Sequence, residues 1–308
     1  MSIIPELICL GEPMIEFNRP REGDGVTWLQ GFGGDTSNAA IAAARQGARA
    51  GYLTSLGRDW MGDAFIDLWK KESVDASRVL RHDTAPTGVY FVTHGGDGHR
   101  FDFLRKGSAA SLMTSDQVPR DYIAGARILH LSAISQAISG SALATCRTAI
   151  EIARSAGVEV SYDTNLRLRL WDLVSARRTI DGTMALTDIA LPSLDDSRQL
   201  TGLEAPDAIV DRYLGMGPRV VALKMGADGA LVATRDKRTR IPPHTVTAVD
   251  ATGAGDAFDG SFLARLLAGD DVEAAGRYAN AAAALKTRGY GAVTPIPRRD
   301  EVLKALKA

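Results

Sequence analysis

Short, continuous apolar stretches alternate along the chain with longer stretches whose apolar residues recur at helical spacing. Strands of this kind, apolar throughout, are typical of a parallel sheet covered by helices on both faces. The pattern therefore predicts a doubly wound α/β fold, in which ligands bind at the carboxyl ends of the strands. The predicted strands are residues 7–11, 51–56, 127–131, 158–162, 189–191, 220–224 and 230–233, and the predicted helices are 37–46, 64–72, 141–156, 208–214, 257–268 and 272–286.

Two regions, residues 12–32 and 87–104, interrupt this alternation because they contain strand-like residues without a helix between them. In the second region, GVYFVT and HRFDFLR flank a glycine-rich turn at residues 94–98, which is typical of a β-hairpin. Insertions at about residues 12–33 and 86–105 predict a small β-sheet lid on a single α/β domain that spans residues 1–308. Two surface hairpins without a function are the alternative interpretation.

Composition narrows the range of functions. The 36 basic and 37 acidic side chains give a net charge of −1, which does not favour a nucleic acid or an anionic membrane as a partner. The N-terminus lacks a signal-peptide pattern, and no apolar run approaches the roughly 20 residues of a membrane span. We therefore expect a cytoplasmic protein. Glycine, at 31 of 308 residues, is above its usual share, which favours tight turns and backbone placed close to a ligand.

The strongest local signal is the sequence ATGAGDAFDG at residues 251–260. Its glycines precede a stretch with helical spacing, so free backbone N–H groups and the helix dipole would favour an anion there. An aspartate in this place is best explained by action on a hydroxyl group beside a phosphate: Asp256 would accept the proton of an alcohol during phosphoryl transfer. The amides of Gly253, Ala254 and Gly255 would hold the transferring group. A glycine-rich helix cap is the structural alternative.

Two further segments carry polar side chains at a predicted helix start and a predicted strand end. FGGDTSNAA, residues 32–40, offers short hydrogen-bonding groups that suit a polyhydroxy compound. YDTNLRLRLW, residues 162–171, offers Arg167 as a fork for a carboxylate or phosphate. A helix cap and a solvated surface loop are the respective alternatives. The chain lacks the P-loop and dinucleotide-binding motifs, and its histidines are too scattered to predict a transition-metal site.

In this order and spacing, the three segments resemble the ribokinase-like (PfkB) carbohydrate kinases from residue 7 to about residue 297. GGDTSNAAIAAARQGA with SLGRDWMGDAF is similar to the first signature of that family, and GAGDAFDGSF is similar to the second. The resemblance implies a doubly wound core with a small β lid, ATP and Mg²⁺ as cofactors, and transfer of the γ-phosphoryl group to a sugar hydroxyl. It implies that Asp256 is the catalytic base and that the three residues before it form an anion hole.

The resemblance also implies a nucleotide site and cation sites. KMGADG, residues 224–229, resembles the family's K-x-G-x-x-G loop at the edge of the nucleotide. Where the family has N-x-x-E for hydrated Mg²⁺ and phosphates, this chain has SLDD, in which Asp196 would organise the hydrated metal. A bound K⁺ near Asp250 and Thr252 is a further option. The residues expected at the ATP site are Asn165, Ser193, Lys224, Gly226, Gly229, Thr252 and Asn280.

Within the family, the chain is most similar to the 2-keto-3-deoxygluconate kinases, through FGGDTSN, LRKGSAAS and DTNLRLRLW. The substrate of that subgroup is a sugar acid whose carboxylate needs a cation, and Arg105 with Arg167 would supply it. Phe103 stands where the subgroup often has Tyr, which removes one hydroxyl contact. The residues expected at the sugar are Gly34, Asp35, Asn38, Tyr90, Phe103, Arg105, Arg167 and Asp256.

Two alternatives to this function stay open. Fructokinases also carry a D-x-N-x-R-x-x-L-W segment, so a neutral ketohexose is the second expectation for the substrate. A non-catalytic sugar-binding or regulatory protein on a kinase scaffold is the alternative from another functional class. The expected assembly is a homo-oligomer, a dimer formed through the lid.

Overall fold

The structure is a computed structural model that describes residues 4–20, 24–95 and 98–307. The strands β1 to β14 are, in chain order, Leu7–Leu10, Met14–Asn18, Leu29–Gly33, Ala50–Leu53, Ser55–Gly57, Leu80–His82, Gly88–Gly95, Gly98–Leu104, Ile128–Ser132, Glu159–Asp163, Ile189–Ala190, Val220–Lys224, Ala230–Ala233 and Arg238–Ile241. The helices α1 to α11 are Asp35–Arg45, Trp60–Lys71, Arg120–Ala124, Ala133–Ala137, Gly140–Ser155, Leu173–Met184, Leu194–Thr201, Pro206–Met216, Ala254–Leu267, Val272–Lys286 and Arg299–Ala305.

The main sheet has eight strands in the order β14-β13-β12-β11-β10-β9-β1-β4. The strands from β12 to β4 are parallel, and β13 and β14 join them as an antiparallel edge. Alternate residues of β1 enter two different apolar clusters, Ile8 and Leu10 on one face and Leu7 and Cys9 on the other. Because both faces are buried under helices, the strands are apolar throughout, and the predicted doubly wound α/β class is confirmed.

A second, four-stranded sheet, which we call the small sheet, has the order β3-β2-β7-β8. Its strands come from the two regions that interrupt the alternation in the sequence. Strands β2 and β7 are parallel, whereas β2–β3 and β7–β8 are antiparallel. The predicted glycine-rich turn between β7 and β8 includes positions 96 and 97, which lie outside the described residues.

Three features of the fold differ from the prediction. The strand expected at residues 51–56 is two strands, because the chain leaves the main sheet after β4 and β5 pairs with β6 in a separate two-stranded sheet. The antiparallel edge strand β14 was not predicted, since Arg238–Ile241 alternates polar residues on a mostly exposed strand. Five helices were also missed: α3, α4 and α11 are short, and charged residues dilute the apolar stripes of α6 and α7. Within the described residues, no helix is both long and apolar enough to cross a membrane.

Close packing of α1 against α9 aligns the amino ends of these two helices over the carboxyl edge of the main sheet. Gly260 permits this approach, because a Cβ atom there would lie 2.1 Å from the carbonyl oxygen of Ala39. Each helix begins with a glycine of positive φ, Gly34 at 102° and Gly253 at 77°, which an L side chain rarely adopts. The fold therefore brings two separate glycine-rich segments to one place.

Candidate active site

A cavity of about 1190 Å³ lies between the carboxyl edge of the main sheet and the small sheet. Its lining includes most of the side chains and glycines that the sequence singled out: Gly34, Asp35, Asn38, Tyr90, Phe103, Arg105, Asn165, Arg167, Ser193, Asp196, Lys224, Gly226, Thr252, Gly253, Gly255 and Asp256. Ala254 adjoins this lining as the first residue of α9. The cavity is thus continuous from the segment expected to bind sugar to the segment expected to bind nucleotide.

Two predicted nucleotide residues do not reach this lining. Asn280 is buried on α10, and its amide Nδ2 donates to the carbonyl oxygen of Pro242 at 2.9 Å. Gly229 forms a tight turn before β13, where a Cβ atom would lie 2.1 Å from the carbonyl oxygen of Ile241. Both residues thus hold the chain around Pro242, which borders an adjoining cavity of about 400 Å³. Their effect on a nucleotide would be through the shape of that second cavity.

We name the two ends of the cavity after the ligands that the sequence predicts there. The phosphate end holds Asp256, in the first turn of α9, and the sugar end holds Tyr90, Phe103, Arg105 and Arg167. The Oδ2 atom of Asp256 accepts a hydrogen bond from Nδ2 of Asn38 at 2.7 Å, a contact that depends on the close approach of α1 and α9. The Oδ1 atom of Asn38 is buried and has no hydrogen-bond partner among the described residues. Because a buried acceptor left unpaired is costly, this oxygen is suited to receive a hydroxyl group of a ligand.

Burial raises the pKa of Asp256 to about 7, and repulsion by the carboxylate of Asp35 adds to the rise, while the hydrogen bond from Asn38 opposes it. The side chain is nevertheless partly open to the cavity. A carboxyl group with a pKa near neutrality accepts a proton from an alcohol more effectively than an ordinary aspartate does. The surroundings of Asp256 are therefore those of a general base.

Lys224, at the end of β12, is held between two buried carboxylates. Its Nζ donates to Oδ2 of Asp163 at 2.9 Å and to both oxygens of Asp259 at 2.9 and 3.0 Å. Burial raises the pKa of Asp259. Burial also acts to raise the pKa of Asp163, but the charge and hydrogen bond of Lys224, together with a hydrogen bond to Asp259, hold that pKa below its usual range. A Cβ atom on Gly255 would lie 3.6 Å from the Lys224 ammonium, so this cation sits directly beside the first turn of α9.

The sugar end contains an ion pair that the sequence analysis did not foresee. Arg105 does line the cavity, but its Nε donates to Glu12 at 2.7 Å, and the hydroxyl of Ser108 also donates to that carboxylate. Burial raises the pKa of Glu12, and Arg105 and Ser108 oppose the rise. The expectation that Arg105 helps to bind a substrate carboxylate stays a prediction, and the structure adds that its charge already has a buried partner in Glu12. Glu12 comes two residues after the end of β1, and this position near the carboxyl end of a strand is a local signal for a ligand-binding residue.

Tyr90 has a similar partner in the small sheet. Its hydroxyl donates to Glu16, which is also buried, and its ring lies 5.9 Å from that of Phe103 in a stacked arrangement. Burial raises the pKa of Glu16 to about 6. The Tyr90 hydroxyl is thus used within the protein, and the aromatic faces of Tyr90 and Phe103 are what this part of the sheet presents to a ligand.

Two arginines from the loop after β10 complete the sugar end. Arg167 is exposed, and its Nη1 donates to the carbonyl oxygen of Leu166 at 2.8 Å. Arg169 reaches across to the small sheet, where its Nη1 donates to the carbonyl oxygen of Phe101 at 2.5 Å. The sequence analysis did not single out Arg169 because nothing local distinguishes it from a solvated arginine. Arg167 therefore offers an accessible guanidinium to a ligand, while Arg169 ties the main body to the small sheet.

The residues expected near ATP and Mg²⁺ are engaged with each other. Ser193 caps α7 by accepting the amide of Asp196 at 3.3 Å, and the Asp196 carboxylate accepts the amide of Leu166 at 3.0 Å. Asn165, with a φ of 20°, donates its side-chain amide to Asp35 at 3.2 Å. Burial raises the pKa of Asp196, and Arg167 opposes the rise.

No group of three or more His, Cys, Asp or Glu side chains in the described part of the chain is placed to hold a metal. Asp195 and Asp196 nevertheless line the cavity. Mg²⁺ keeps much of its water and takes phosphate oxygens with one or two carboxylates, so this donor set fits a metal that arrives with a nucleotide.

Comparison with known proteins identifies the family to which this chain belongs. Residues 5–299 match the pfkB family of carbohydrate kinases. The chain belongs to this family. It is 33% identical to the 2-dehydro-3-deoxygluconokinase of Bacillus subtilis, over 98% of this chain and 96% of that protein, and 31% identical to probable fructokinase-5 of Arabidopsis thaliana, over 100% and 99%.

A crystal structure of the fructokinase of Vibrio cholerae, in a form with bound fructose, ADP and calcium ion, superimposes with a TM-score of 0.89 at 26% identity. The alignment covers 99% of this chain and 100% of that one. The ribokinase-like fold expected from the sequence is therefore confirmed, and the chain is a PfkB carbohydrate kinase by family.

Proposed function

We propose that this PfkB family member is an ATP-dependent kinase that phosphorylates 2-keto-3-deoxygluconate at its terminal, 6-position hydroxyl group. The observation that carries the proposal is the pairing of two groups in one cavity. Asp256, at the amino end of α9, has a pKa raised to about 7, and Arg167 lines the same cavity with an exposed side chain. The first of these groups suits the chemistry of phosphoryl transfer, and the second suits a substrate that bears a carboxylate.

In the proposed reaction, the sugar hydroxyl donates its proton to Asp256 as its oxygen attacks the γ-phosphorus of ATP. Asn38 fixes the orientation of the carboxylate through its Nδ2 and receives another sugar hydroxyl at Oδ1. The amides of Gly253 and Gly255 would stabilise the charge on the equatorial phosphate oxygens, as expected for a loose transition state. The amide of Ala254, which was also predicted for this role, already donates to the carbonyl oxygen of Ala251 at 3.1 Å. The bond from the γ-phosphorus to ADP breaks, and the sugar phosphate and ADP leave.

The nucleotide would lie along the other half of the cavity. Ser193, Gly226 and Thr252 line it there, and the adjoining cavity bordered by Met225 and Pro242 would take the base. Asp196 would hold Mg²⁺ through water, with Asn165 close by. The metal, when bound, would neutralise the phosphates of ATP.

We propose that the small sheet acts as a lid, which closes over the sugar, excludes water and so limits hydrolysis of ATP. The hydrogen bond from Arg169 to Phe101 supports this proposal, because it joins the loop after β10 to the small sheet across the cavity. A dimer formed through the exposed side of the small sheet stays a prediction.

For the substrate carboxylate, Arg167 is the favoured partner. A guanidinium binds a carboxylate through two parallel hydrogen bonds, and Arg167 is exposed at the cavity rather than buried in an ion pair. Changing Arg167 to Ala should therefore raise KM for the sugar acid roughly 10- to 100-fold, the value of a charge-assisted hydrogen bond. KM for a neutral ketose should change much less.

A fructokinase is the second candidate function. The buried pair of Arg105 with Glu12 favours it, because only one of the two arginines expected to bind a carboxylate is left unpaired by an acidic side chain. Fructokinases are also among the relatives of nearly equal identity. A neutral ketohexose has no carboxylate and therefore needs no arginine left free to bind one.

A coupled assay of ADP production with 2-keto-3-deoxygluconate, its galactonate epimer and fructose separates these functions. We expect the highest kcat/KM with the gluconate-derived acid. A higher kcat/KM with fructose would establish the second candidate. Binding of a sugar without ADP production from any of the three would favour a non-catalytic, sugar-binding role.

A further inference from the structure

Lys286, the last residue of α10, has a side chain that is completely buried. Its ammonium Nζ donates to the carbonyl oxygen of Asp250 at 2.9 Å. Burial lowers the pKa of Lys286, and the carboxylates of Asp250, Glu16 and Asp256 oppose this fall. An ammonium is removed from water at high cost, so its retention at this position calls for a reason.

The carboxylates that act on this ammonium come from three separate elements. Asp250 lies in the loop before α9, Glu16 on β2 of the small sheet, and Asp256 in α9. The Glu16 carboxylate lies close to the loop after α10, since a Cβ atom on Gly291 would be 3.1 Å from its Oε1. Lys286 is thus the cation that faces three carboxylates at the junction of the small sheet, the phosphate end and α10.

The loop that Lys286 holds leads directly into the first turn of α9. The two carboxylate oxygens of Asp250 accept the amides of Thr252 and Gly291, each at 2.9 Å, and the carbonyl oxygen of Asp250 accepts the Lys286 ammonium. Asp250 is therefore fixed at three oxygens. Because Thr252 and Gly253 follow it, any shift of Asp250 would move the amides that face the phosphate.

These contacts do not fit the K⁺ ion that the sequence resemblance offered near Asp250 and Thr252. A bound K⁺ needs several oxygen ligands, and each of the three oxygens of Asp250 already uses one lone pair to accept an N–H group, which leaves less for a metal ion. A second positive charge would also lie beside a buried ammonium and be repelled by it. At the expected K⁺ site, the Lys286 ammonium thus supplies the positive charge, and N–H groups of the chain supply the contacts to Asp250.

We propose that the Lys286 ammonium is a built-in monovalent cation that positions the loop before α9 and makes this kinase independent of added K⁺. Lys286 acts through Asp250 and is a positioning residue, since it does not line the cavity. The proposal rests on the proposed kinase function only where phosphoryl transfer is the readout.

The first test compares the wild-type enzyme in KCl and in choline chloride at equal ionic strength. We expect the same kcat with its best sugar, and the same midpoint of thermal unfolding, in both salts. Activation of the wild-type enzyme by K⁺ of several-fold, or stabilisation by K⁺ of the unliganded protein, would overturn the proposal.

The second test removes the ammonium by Lys286→Ala, which leaves a space for a small cation. In choline chloride, kcat should fall roughly 10- to 100-fold, the cost of misplacing reacting groups by about 1 Å, with little change in KM for ATP. KCl should restore most of the lost activity. It should also raise the unfolding midpoint of this variant by about 2 °C, because an ion that binds only the folded state stabilises it.

A matched control is Lys237→Met, which removes an exposed lysine that is paired with Glu273 and does not line the cavity. It should behave as the wild type in both salts. An Ala variant that folds, and whose kcat and unfolding midpoint are the same in KCl as in choline chloride, would contradict the proposal. If the Ala variant does not fold, the comparison of the wild-type enzyme in the two salts still decides. If no sugar is phosphorylated at all, the unfolding data keep the cation question separate from the proposed function.

Discussion

The two ends of the cavity bury acidic groups in different ways. At the sugar end, Glu12 has the Arg105 guanidinium as its partner, and Glu16 accepts the hydroxyl of Tyr90. At the phosphate end, the hydrogen bond that reaches Asp256 comes from the neutral amide of Asn38, and the carboxylate of Asp35 repels it. At the sugar end, the buried carboxylates have partners within the protein and hold the fold together. At the phosphate end, the ionised form of Asp256 is destabilised, which suits a group that accepts a proton.

The largest expected effect is on activity, at the phosphate end. Asp256→Asn keeps an oxygen that accepts from Asn38 but removes the base, so kcat should fall by about 10²- to 10⁴-fold. The unfolding free energy at pH 8 should not fall, because a carboxylate whose pKa is raised in the folded state destabilises that state once it is ionised. Steady-state kinetics and urea unfolding measure the two quantities. Wild-type kcat in this variant would exclude Asp256 as the base.

The next effect is on stability, at the sugar end. Arg105→Ala leaves Glu12 buried without its cation, so the free energy of unfolding should fall by about 3–5 kcal/mol. The double change Glu12→Gln with Arg105→Met should recover part of that loss, since no uncompensated charge stays buried. Urea unfolding at pH 7 compares the three proteins. Equal stability of Arg105→Ala and wild type would show that the pair does not hold this end together.

A smaller effect is expected in the pH profile. Only ionised Asp256 accepts a proton, so kcat/KM should decline as the pH falls through about 7, the raised pKa of this group. Asp35→Asn removes the nearby charge that raises this pKa. The acid limb should therefore move to lower pH in that variant, as initial rates between pH 5 and pH 9 would reveal. A shift to higher pH, or no shift, would mean that Asp35 does not act on Asp256 through its charge.

The smallest effect is expected at the link between the two ends. Arg169→Ala removes the hydrogen bond to the Phe101 carbonyl, which at about 0.5–1.5 kcal/mol corresponds to a rise in KM of roughly 2- to 10-fold. Because Arg169 is proposed to hold the small sheet rather than to bind one substrate, the rise should be equal for sugar acids and ketoses. A rise confined to the sugar acid would assign Arg169 to the substrate carboxylate instead.

The two ends also differ in how far the sequence revealed them. The phosphate end depends on consecutive residues, Gly253 to Asp256, and local spacing was enough to predict an anion site with a base. At the sugar end, Glu12 and Arg105 are 93 positions apart, and Glu16 and Tyr90 are 74 apart. No local pattern couples such residues, so Arg105 was predicted to bind a substrate carboxylate without any sign of its buried partner Glu12. Lys286 is a similar case, because a lysine at the end of a helix is ordinarily exposed.

The fold shows the same division between local and distant information. The parallel strands were found because each is apolar by itself, and helix α9 because its apolar spacing follows a glycine-rich start. The division of residues 51–56 between β4 and β5 depends on β6, which contributes its pairing from a later part of the chain. A strand boundary set by a distant partner leaves no signal in the strand itself.

The packing of the small sheet has a consequence for how readily it opens. Met14 pairs with Gly88, but the apolar cluster that belongs to the small sheet alone is only that of Met14, Tyr90 and Val92, and its edge strand β3 is mostly exposed or half-buried. We therefore expect its amides to exchange with solvent before those of the central strands in the absence of ligand, because few buried apolar contacts hold it closed. A sugar bound between Arg167 and the small sheet would oppose that opening. The bound substrate would then complete the structure, because it would hold the small sheet against the main body of the protein.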